Sequence, residues 1–297
     1  MKAQSFGGKW TDEKLECVRR YLVEYTKIFH ADEQRKAYFN THYIDAFAGS
    51  GFRAPEQRRG EQAPQLSFDD PDPDGDNFLK GSTRIALEVE PQFDRYIFVE
   101  LNRTHAGVLE ALKGEYSTRD IEVIRQDANA YLNDWCRTMD RRHDRAVVFL
   151  DPFGMEVEWA TIQCLADTEA IDLWYLFPLS GVNRLLTRDW PPPQTWKDRL
   201  TLTFGTSEWE RAFYRARETA TFFGTKVENV KETDFLGITE FTVERLRTAF
   251  PAVAPRPRVL LNPKQNNPLF LLCFASASKV ESTQKAALNI ASYILSM

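Results

Sequence analysis

Two periods of hydrophobic spacing alternate along the chain. Over residues 11–29, Leu15, Val18, Leu22, Tyr25 and Phe29 recur at three- and four-residue steps, which places apolar side chains on one face of an α-helix. Thr11 or Asp12 stands where a side-chain oxygen can cap its first amides. Short apolar runs follow at 43–47, 96–101, 121–124, 146–150 and 171–177, rich in β-branched and aromatic residues. Each has the length of a buried strand. Helical patterns over 82–90, with Ser82 as cap, 104–116, 129–139 and 158–166 separate them. Strands alternating with helices predict right-handed crossovers and a parallel sheet wound on both faces.

The C-terminal part changes pattern. Strand-like runs at 258–261 and 268–275 flank the turn formers Asn262, Pro263, Asn266 and Asn267, predicting an antiparallel hairpin that closes the sheet. A helix over 238–250 precedes it and one over 280–295 follows. Two stretches interrupt the scheme. Residues 52–80 hold the run DDPDPDGDN and are too polar and Pro/Gly-rich to pack a core, which predicts an acidic loop over the top of the sheet. Residues 181–233, with prolines at 191–193 and aromatic-rich patterns, read as a helical insertion between strands five and six. The expected fold is α/β: a Rossmann-like, doubly wound, mostly parallel seven-stranded sheet with an antiparallel C-terminal hairpin and a helical insertion. Residues 1–297 form one domain in this reading, and residues 1–40 its N-terminal helical segment.

Composition narrows the class. With 43% hydrophobic and 27% charged residues over 297 positions, the chain is ordinary globular material. No apolar run approaches the roughly 20 residues of a membrane span, and the N-terminus lacks the apolar core of a signal peptide, so a cytoplasmic protein is expected. A formal net charge of −5 argues against coating nucleic acid by bulk electrostatics. Cys17, Cys136, Cys164 and Cys273 lie far apart, as do the histidines, so neither a metal site nor a disulfide framework is suggested.

The chemistry concentrates at strand ends. YIDAFAGSG over 43–51 is a strand ending in Asp45, followed by Ala46, Phe47 and a turn containing Gly49 and Gly51; glycines there let a ligand approach the backbone. Gly49, Gly51 and Ala54 formally satisfy a dinucleotide fingerprint, but Pro55 and the acidic loop stand where that fingerprint needs a helix N-terminus. The run 96–102 presents Glu100 and Leu101 at its end, and a carboxylate there can accept both hydroxyls of a ribose or cap a helix. Asp127, beside Ala128, can bond an adenine amine or cap the helix that follows.

VVFLDPFG over 147–154 is a buried strand ending in Asp151, then Pro152, Phe153 and Gly154. An exocyclic amine is a poor nucleophile because its lone pair is delocalised. A carboxylate that accepts from its NH2, with the Pro152 carbonyl beside it, favours the pyramidal nitrogen, and Phe153 offers a stacking face. The same residues also read as a plain strand followed by a Pro-Gly turn. Ser180, Asn183 and Arg184 follow the fifth strand and are candidates for substrate binding, the guanidinium for phosphate. Trp190, Trp196, Trp209, Phe213, Tyr214, Phe222 and Phe223 either stack on unpaired bases or form the insertion's own small core.

Together these residues resemble the class I S-adenosylmethionine-dependent methyltransferases. DAFAGSG at 45–51 is similar to their cofactor loop, Glu100 and Asp127 to the acids after strands two and three, and DPFG at 151–154 to the tetrapeptide after strand four. DPFG is similar to the tetrapeptide of tRNA guanosine N2-dimethyltransferases and, more distantly, to the DPPY of adenine N6-methyltransferases. HYIDAFAGSG at 42–51, FLDPFG at 149–154, LWYLFPLSGVNRL at 173–185 and PLFLLCFASAS at 268–278 resemble the three-Cys-motif partner protein family, TcmP. The resemblance implies S-adenosylmethionine as cofactor, a three-Cys-motif companion protein, and nucleic acid as acceptor. A non-catalytic cofactor-binding subunit of that companion, and a nucleotide-dependent oxidoreductase, are the competing readings.

Overall fold

The apolar runs become strands because nearly every side chain on them is enclosed from both sides. In this computed structural model, which describes residues 9–48, 75–188, 190–221, 224–262 and 265–297, helices α1 (Lys9–Phe29) and α2 (Glu33–Tyr38) lead into β1 (Asn40–Asp45). Then come α3 (Gly75–Leu87), β2 (Arg95–Val99), α4 (Arg103–Glu115), β3 (Ile121–Ile124), α5 (Ala128–Thr138), β4 (Asp144–Leu150), α6 (Trp159–Asp167) and β5 (Ile171–Phe177). The insertion holds α7 (Leu179–Leu185), α8 (Gln194–Phe204), α9 (Glu208–Phe213), β6 (Tyr214–Thr221) and β7 (Gly224–Lys231). The chain closes with α10 (Phe235–Ala249), β8 (Ala252–Val253), β9 (Arg258–Leu261), β10 (Pro268–Ser276) and α11 (Glu281–Ser296).

The sheet runs β3-β2-β1-β4-β5-β10-β8. Strands β1 to β5 are mutually parallel, and β10 is antiparallel to β5. On its far side β10 pairs with β9 near its start and with β8 near its end, both antiparallel. The expected doubly wound sheet with its closing hairpin is therefore present; β9 adds an eighth strand beside the seven-strand path, in line with the two-residue β8.

Side chains alternate between two cores. Ile44, Val148, Leu150, Leu173, Tyr175 and Phe177 face α5, α6, α7 and α10, while Tyr43, Val147, Phe149, Trp174 and Leu176 face α1, α3, α4 and α11. On α1 the apolar stripe buries Leu15, Val18, Tyr21, Leu22 and Tyr25. At roughly 1.5–3 kcal/mol per enclosed large side chain, this stripe alone holds α1 down with about 10 kcal/mol. Gly81 permits close approach: a Cβ there would meet Leu15 Cδ1 at 2.7 Å.

Several expectations are corrected. The helix of α1 already runs at Lys9, so Thr11 and Asp12 lie inside its first turn and cannot cap it. Strand β1 begins at Asn40, within the segment expected to be helical, and ends at Asp45. The loop expected over 52–80 gives way to helix from Gly75, and Ser82, expected as a cap, sits buried mid-helix; residues 52–74 lie outside the described residues. The insertion expected to be helical ends in an antiparallel ribbon of β6 and β7. In YRARETAT only Tyr214, Ala216 and Ala220 alternate with polar residues, and in GTKVENVK the two valines fall on opposite faces, so hydrophobic periodicity gave only a weak strand signal there.

The insertion's aromatics form a core. Trp209 and Phe213 are fully buried, Trp190 packs 4.8 Å from Tyr214, and Trp196 is partly buried against the same cluster; Phe222 and Phe223 lie outside the described residues. Gly205 ends α8 in the left-handed region at φ 66°, its amide on the Thr201 carbonyl at 2.7 Å. A Cβ there would stand 2.0 Å from Trp159 Cδ1. Gly205→Ala is expected to lower stability by about 3 kcal/mol, combining backbone strain with steric overlap, read as a fall in the urea unfolding midpoint.

Candidate active site

Because β1 to β4 are parallel neighbours, the turns that follow them emerge along one edge of the sheet. They line a single cleft of about 290 Å³ whose walls are Ala46 and Phe47 after β1, Glu100 and Leu101 after β2, Gln126, Asp127, Ala128 and Asn129 after β3, and Phe153, Glu156 and Glu158 after β4. Arg199, on α8 of the insertion, completes it.

Each wall residue is held by its local structure. Glu100 is buried, and its Oε1 accepts from the Asn102 amide at 2.6 Å, with His105 Nδ1 at 3.7 Å. Asp127 caps α5, its Oδ1 accepting from the Ala130 amide at 3.0 Å; it lines the cleft as well, so the capping and ligand-facing roles are compatible. Asn129 ties the two sides together: its Nδ2 donates to the Glu156 carbonyl at 2.9 Å, and its Oδ1 accepts from the Glu158 amide at 3.0 Å and the Thr161 hydroxyl at 2.9 Å. Arg199 Nη1 donates to the Met155 carbonyl at 3.2 Å. Desolvation in the cleft raises the Glu156 carboxyl, opposed by the Phe153 amide and by Arg199. Leu101 and Phe153 stay 66% and 54% exposed, two apolar surfaces available to a planar ring.

The cleft suits a cation. Four carboxylates, Glu100, Asp127, Glu156 and Glu158, face it against the one guanidinium of Arg199, a field that attracts positive charge and repels a pyrophosphate. Asp127 already occupies an N-terminal amide of α5, so that helix end is not an open anion seat. Both features weigh against a dinucleotide.

Beside the cleft, one residue before Ala46 and two before Phe153, lies a buried ionic cluster. Asp151 Oδ2 and Lys14 Nζ are 2.8 Å apart, with their side chains 4% and 0% exposed. Asp45 is fully buried, and its Oδ1 has no hydrogen-bond partner among the described residues. Its carboxyl is pushed up to about 7, first by desolvation and then by the charge of Asp151, against the Ser82 hydroxyl, Lys14 and the Phe47 amide. The Tyr43 hydroxyl lies 3.5 Å from Asp45 Oδ2, and burial holds it far above its ordinary range.

Of the candidate residues, Ala46, Phe47, Glu100, Leu101, Asp127, Ala128 and Phe153 meet in one cleft. Asp45, Asp151, Pro152 and Gly154 are buried next to it and are not on its wall. Gly49 and Gly51 lie outside the described residues. Ser180, Asn183 and Arg184 sit on α7 and do not line the cleft; Asn183 is engaged through its Oδ1 and carbonyl by Lys231 Nζ at 2.7 and 3.1 Å. Sequence reasoning missed Lys14, Asn129, Glu156 and Arg199. Lys14 had a signal: Lys14, Val18 and Leu22 are spaced by four, so a lysine occupies the apolar stripe. Arg199 had none, since only packing of α8 brings it to the cleft.

The Asp45 shift has a definite sign. Its folded value is raised above the ordinary 3.8, so its contribution to stability is fully present below about pH 4 and is lost as pH rises through about 7. Asp45→Asn removes this dependence. Relative to the wild type it is expected to gain stability progressively between about pH 4 and about pH 7, by on the order of 4 kcal/mol in total, measured by urea unfolding across that range.

No family model and no curated protein matches the sequence. Among solved structures, protein LPL1258 of Legionella pneumophila, of the DUF519 family, is 14% identical with a TM-score of 0.41, over 82% of this chain and 93% of that one. The Escherichia coli protein yhhF, provisionally named a methyltransferase, is 15% identical with a TM-score of 0.28, over 72% of this chain and 86% of its own. Haemophilus influenzae HI0767, provisionally named a methylase, is 17% identical with a TM-score of 0.25, over 71% and 98%. The Rossmann-like architecture itself stands on the strand order and directions of the sheet.

Proposed function

We propose that this chain is an S-adenosylmethionine-dependent methyltransferase acting on an exocyclic amine of a nucleobase, and that a three-Cys-motif protein is its companion. The observation that carries the reading is the meeting of four neighbouring strand ends in one acid-lined cleft, with the DPFG turn at its border. The residues present fit the cofactor. Glu100 would accept from the ribose hydroxyls, Asp127 from the adenine amine, and Leu101 with Ala128 would border the ring. When bound, the cofactor supplies an electrophilic methyl group, and the negative cleft favours its sulfonium.

The chain's own residues supply positioning. Asp151 accepts from the acceptor's NH2, disposing the nitrogen lone pair outward, and Phe153 stacks on the base. The acceptor class is inferred from this amine chemistry and from the resemblance of DPFG. A second reading, a cofactor-binding subunit without catalysis, is favoured by one observation: the Asp151 carboxylate is already engaged by Lys14.

Calorimetry is expected to show binding of S-adenosylhomocysteine, weakened about 10- to 100-fold by Glu100→Ala through loss of charged hydrogen bonds. Absence of any binding, with either the cofactor or its product, would sink the proposal. Asp151→Asn is expected to keep that affinity within about threefold while tritium transfer from labelled cofactor to bulk RNA and denatured DNA falls about 100-fold. Undiminished transfer would remove Asp151 from the transfer step, whereas cofactor binding by the wild type without any transfer would support the subunit reading.

A further inference from the structure

Lys14 is a charged side chain with no exposed surface, carried on the buried stripe of α1. Helix α1 does not depend on it for attachment. The apolar stripe, the Tyr21 hydroxyl donating to Asp172 Oδ2 at 2.6 Å, and Arg258 Nη2 on Glu13 Oε2 at 3.3 Å all anchor the helix independently. A buried ion pair is also poor glue: removing two charges from water costs several kcal/mol, and an apolar pair of similar volume usually holds as well or better. Anchoring therefore gives no reason for a lysine at this position. Its place does: the ammonium meets Asp151 at 2.8 Å, acts on Asp45, and lies 5.1 Å from the centre of the Trp10 ring.

We propose that Lys14 is a positioning residue of the transfer site, holding the Asp151 side chain as an oriented carboxylate although a second carboxyl, Asp45, is buried beside it. This rests on the methyltransferase reading for its catalytic consequence, but the electrostatic claim is independent of that reading. Two neighbouring buried carboxyls without a cation share a proton. A neutral acid at Asp151 would offer its O–H to the acceptor amine and so engage the very lone pair that must attack. Tyr43 from β1, Ser82 from α3 and the Phe47 amide also face Asp45, all uncharged, while the Lys14 ammonium is in direct contact with Asp151, and this asymmetry decides which carboxyl carries the proton. Asp45 takes it; Asp151 stays charged and accepts.

The test uses the full chain labelled with 13C at the aspartate carboxyls, with the Asp45 and Asp151 signals assigned through D45N and D151N. In the wild type, Asp45 is expected to titrate at about 7 while the Asp151 signal stays that of a carboxylate through that transition. In K14M the pair is expected to hold a proton at neutral pH, visible as a displaced Asp151 signal, and K14R is expected to restore the carboxylate. Tritium transfer to bulk RNA and denatured DNA should fall about 100-fold in K14M and recover in part in K14R, with S-adenosylhomocysteine affinity within about threefold of wild type in both. The proposal is overturned if wild-type Asp151 takes up the proton instead of Asp45, a measurement needing no folded variant. It is equally overturned if K14M leaves the Asp151 signal or the transfer rate unchanged. If the wild type binds no cofactor and transfers nothing, the methyltransferase reading fails, while the titration still decides whether Lys14 governs the charge on Asp151.

Discussion

Parallel hydrogen bonding between neighbouring strands leaves little freedom in where those strands can end. Once β2, β1 and β4 pair in register, with Tyr43 opposite both Tyr96 and Val147, their following turns must open on the same edge of the sheet, and β3 joins them through β2. Everything of functional interest in the molecule is a consequence of that edge. The cleft exists because Ala46, Glu100, Asp127 and Phe153 cannot diverge. Half of its acid lining exists because two of the strands, β2 and β3, are followed within three residues by carboxylates that also serve the backbone, Glu100 toward Asn102 and Asp127 toward Ala130.

A second constraint acts at right angles to the first. Helix α1 crosses the sheet face near its middle and delivers Lys14 to Asp151, a contact spanning 137 positions of sequence. The insertion does something comparable from the opposite face, where α8 brings Arg199 to the cleft; Gly205, Trp159 and Arg245 fix the end of that helix, with Arg245 4.4 Å from the Trp159 ring and bonded to the Phe204 carbonyl at 3.0 Å. The two charges have different environments and different consequences. Lys14 is sealed and interacts with carboxylates at close range, where a low dielectric strengthens it; Arg199 borders solvent and is partly screened.

The burial of Asp45 shows how strongly the surroundings decide chemistry at this edge. The same residue type at position 127 caps a helix near solvent, and at position 151 it has a counter-ion in contact. Asp45 has neither, and desolvation raises its carboxyl to about 7. Three aspartates that follow or end three of the four parallel strands at this edge thus have different surroundings, a helix N-terminus, a counter-ion and an apolar enclosure, through differences in burial and in neighbouring charge.

What the sequence by itself determined was whatever depends on local pattern: the strands β1 to β5, the helices between them, the closing hairpin, and the acids and DPFG at strand ends, because apolar period and turn chemistry are written in neighbouring residues. The mostly parallel order follows from that alternation. Tertiary structure alone decided the rest. The mostly polar ribbon of β6 and β7 carries too little hydrophobic alternation to announce it, and the path of α7 placed Ser180, Asn183 and Arg184 away from the cleft they were expected to join. Lys14 reached Asp151, and Arg199 reached the cleft, through packing between elements far apart in the chain. Whether an acid caps, pairs or holds a proton depends on how much water remains around it, and that is set by residues distant in sequence and close in space.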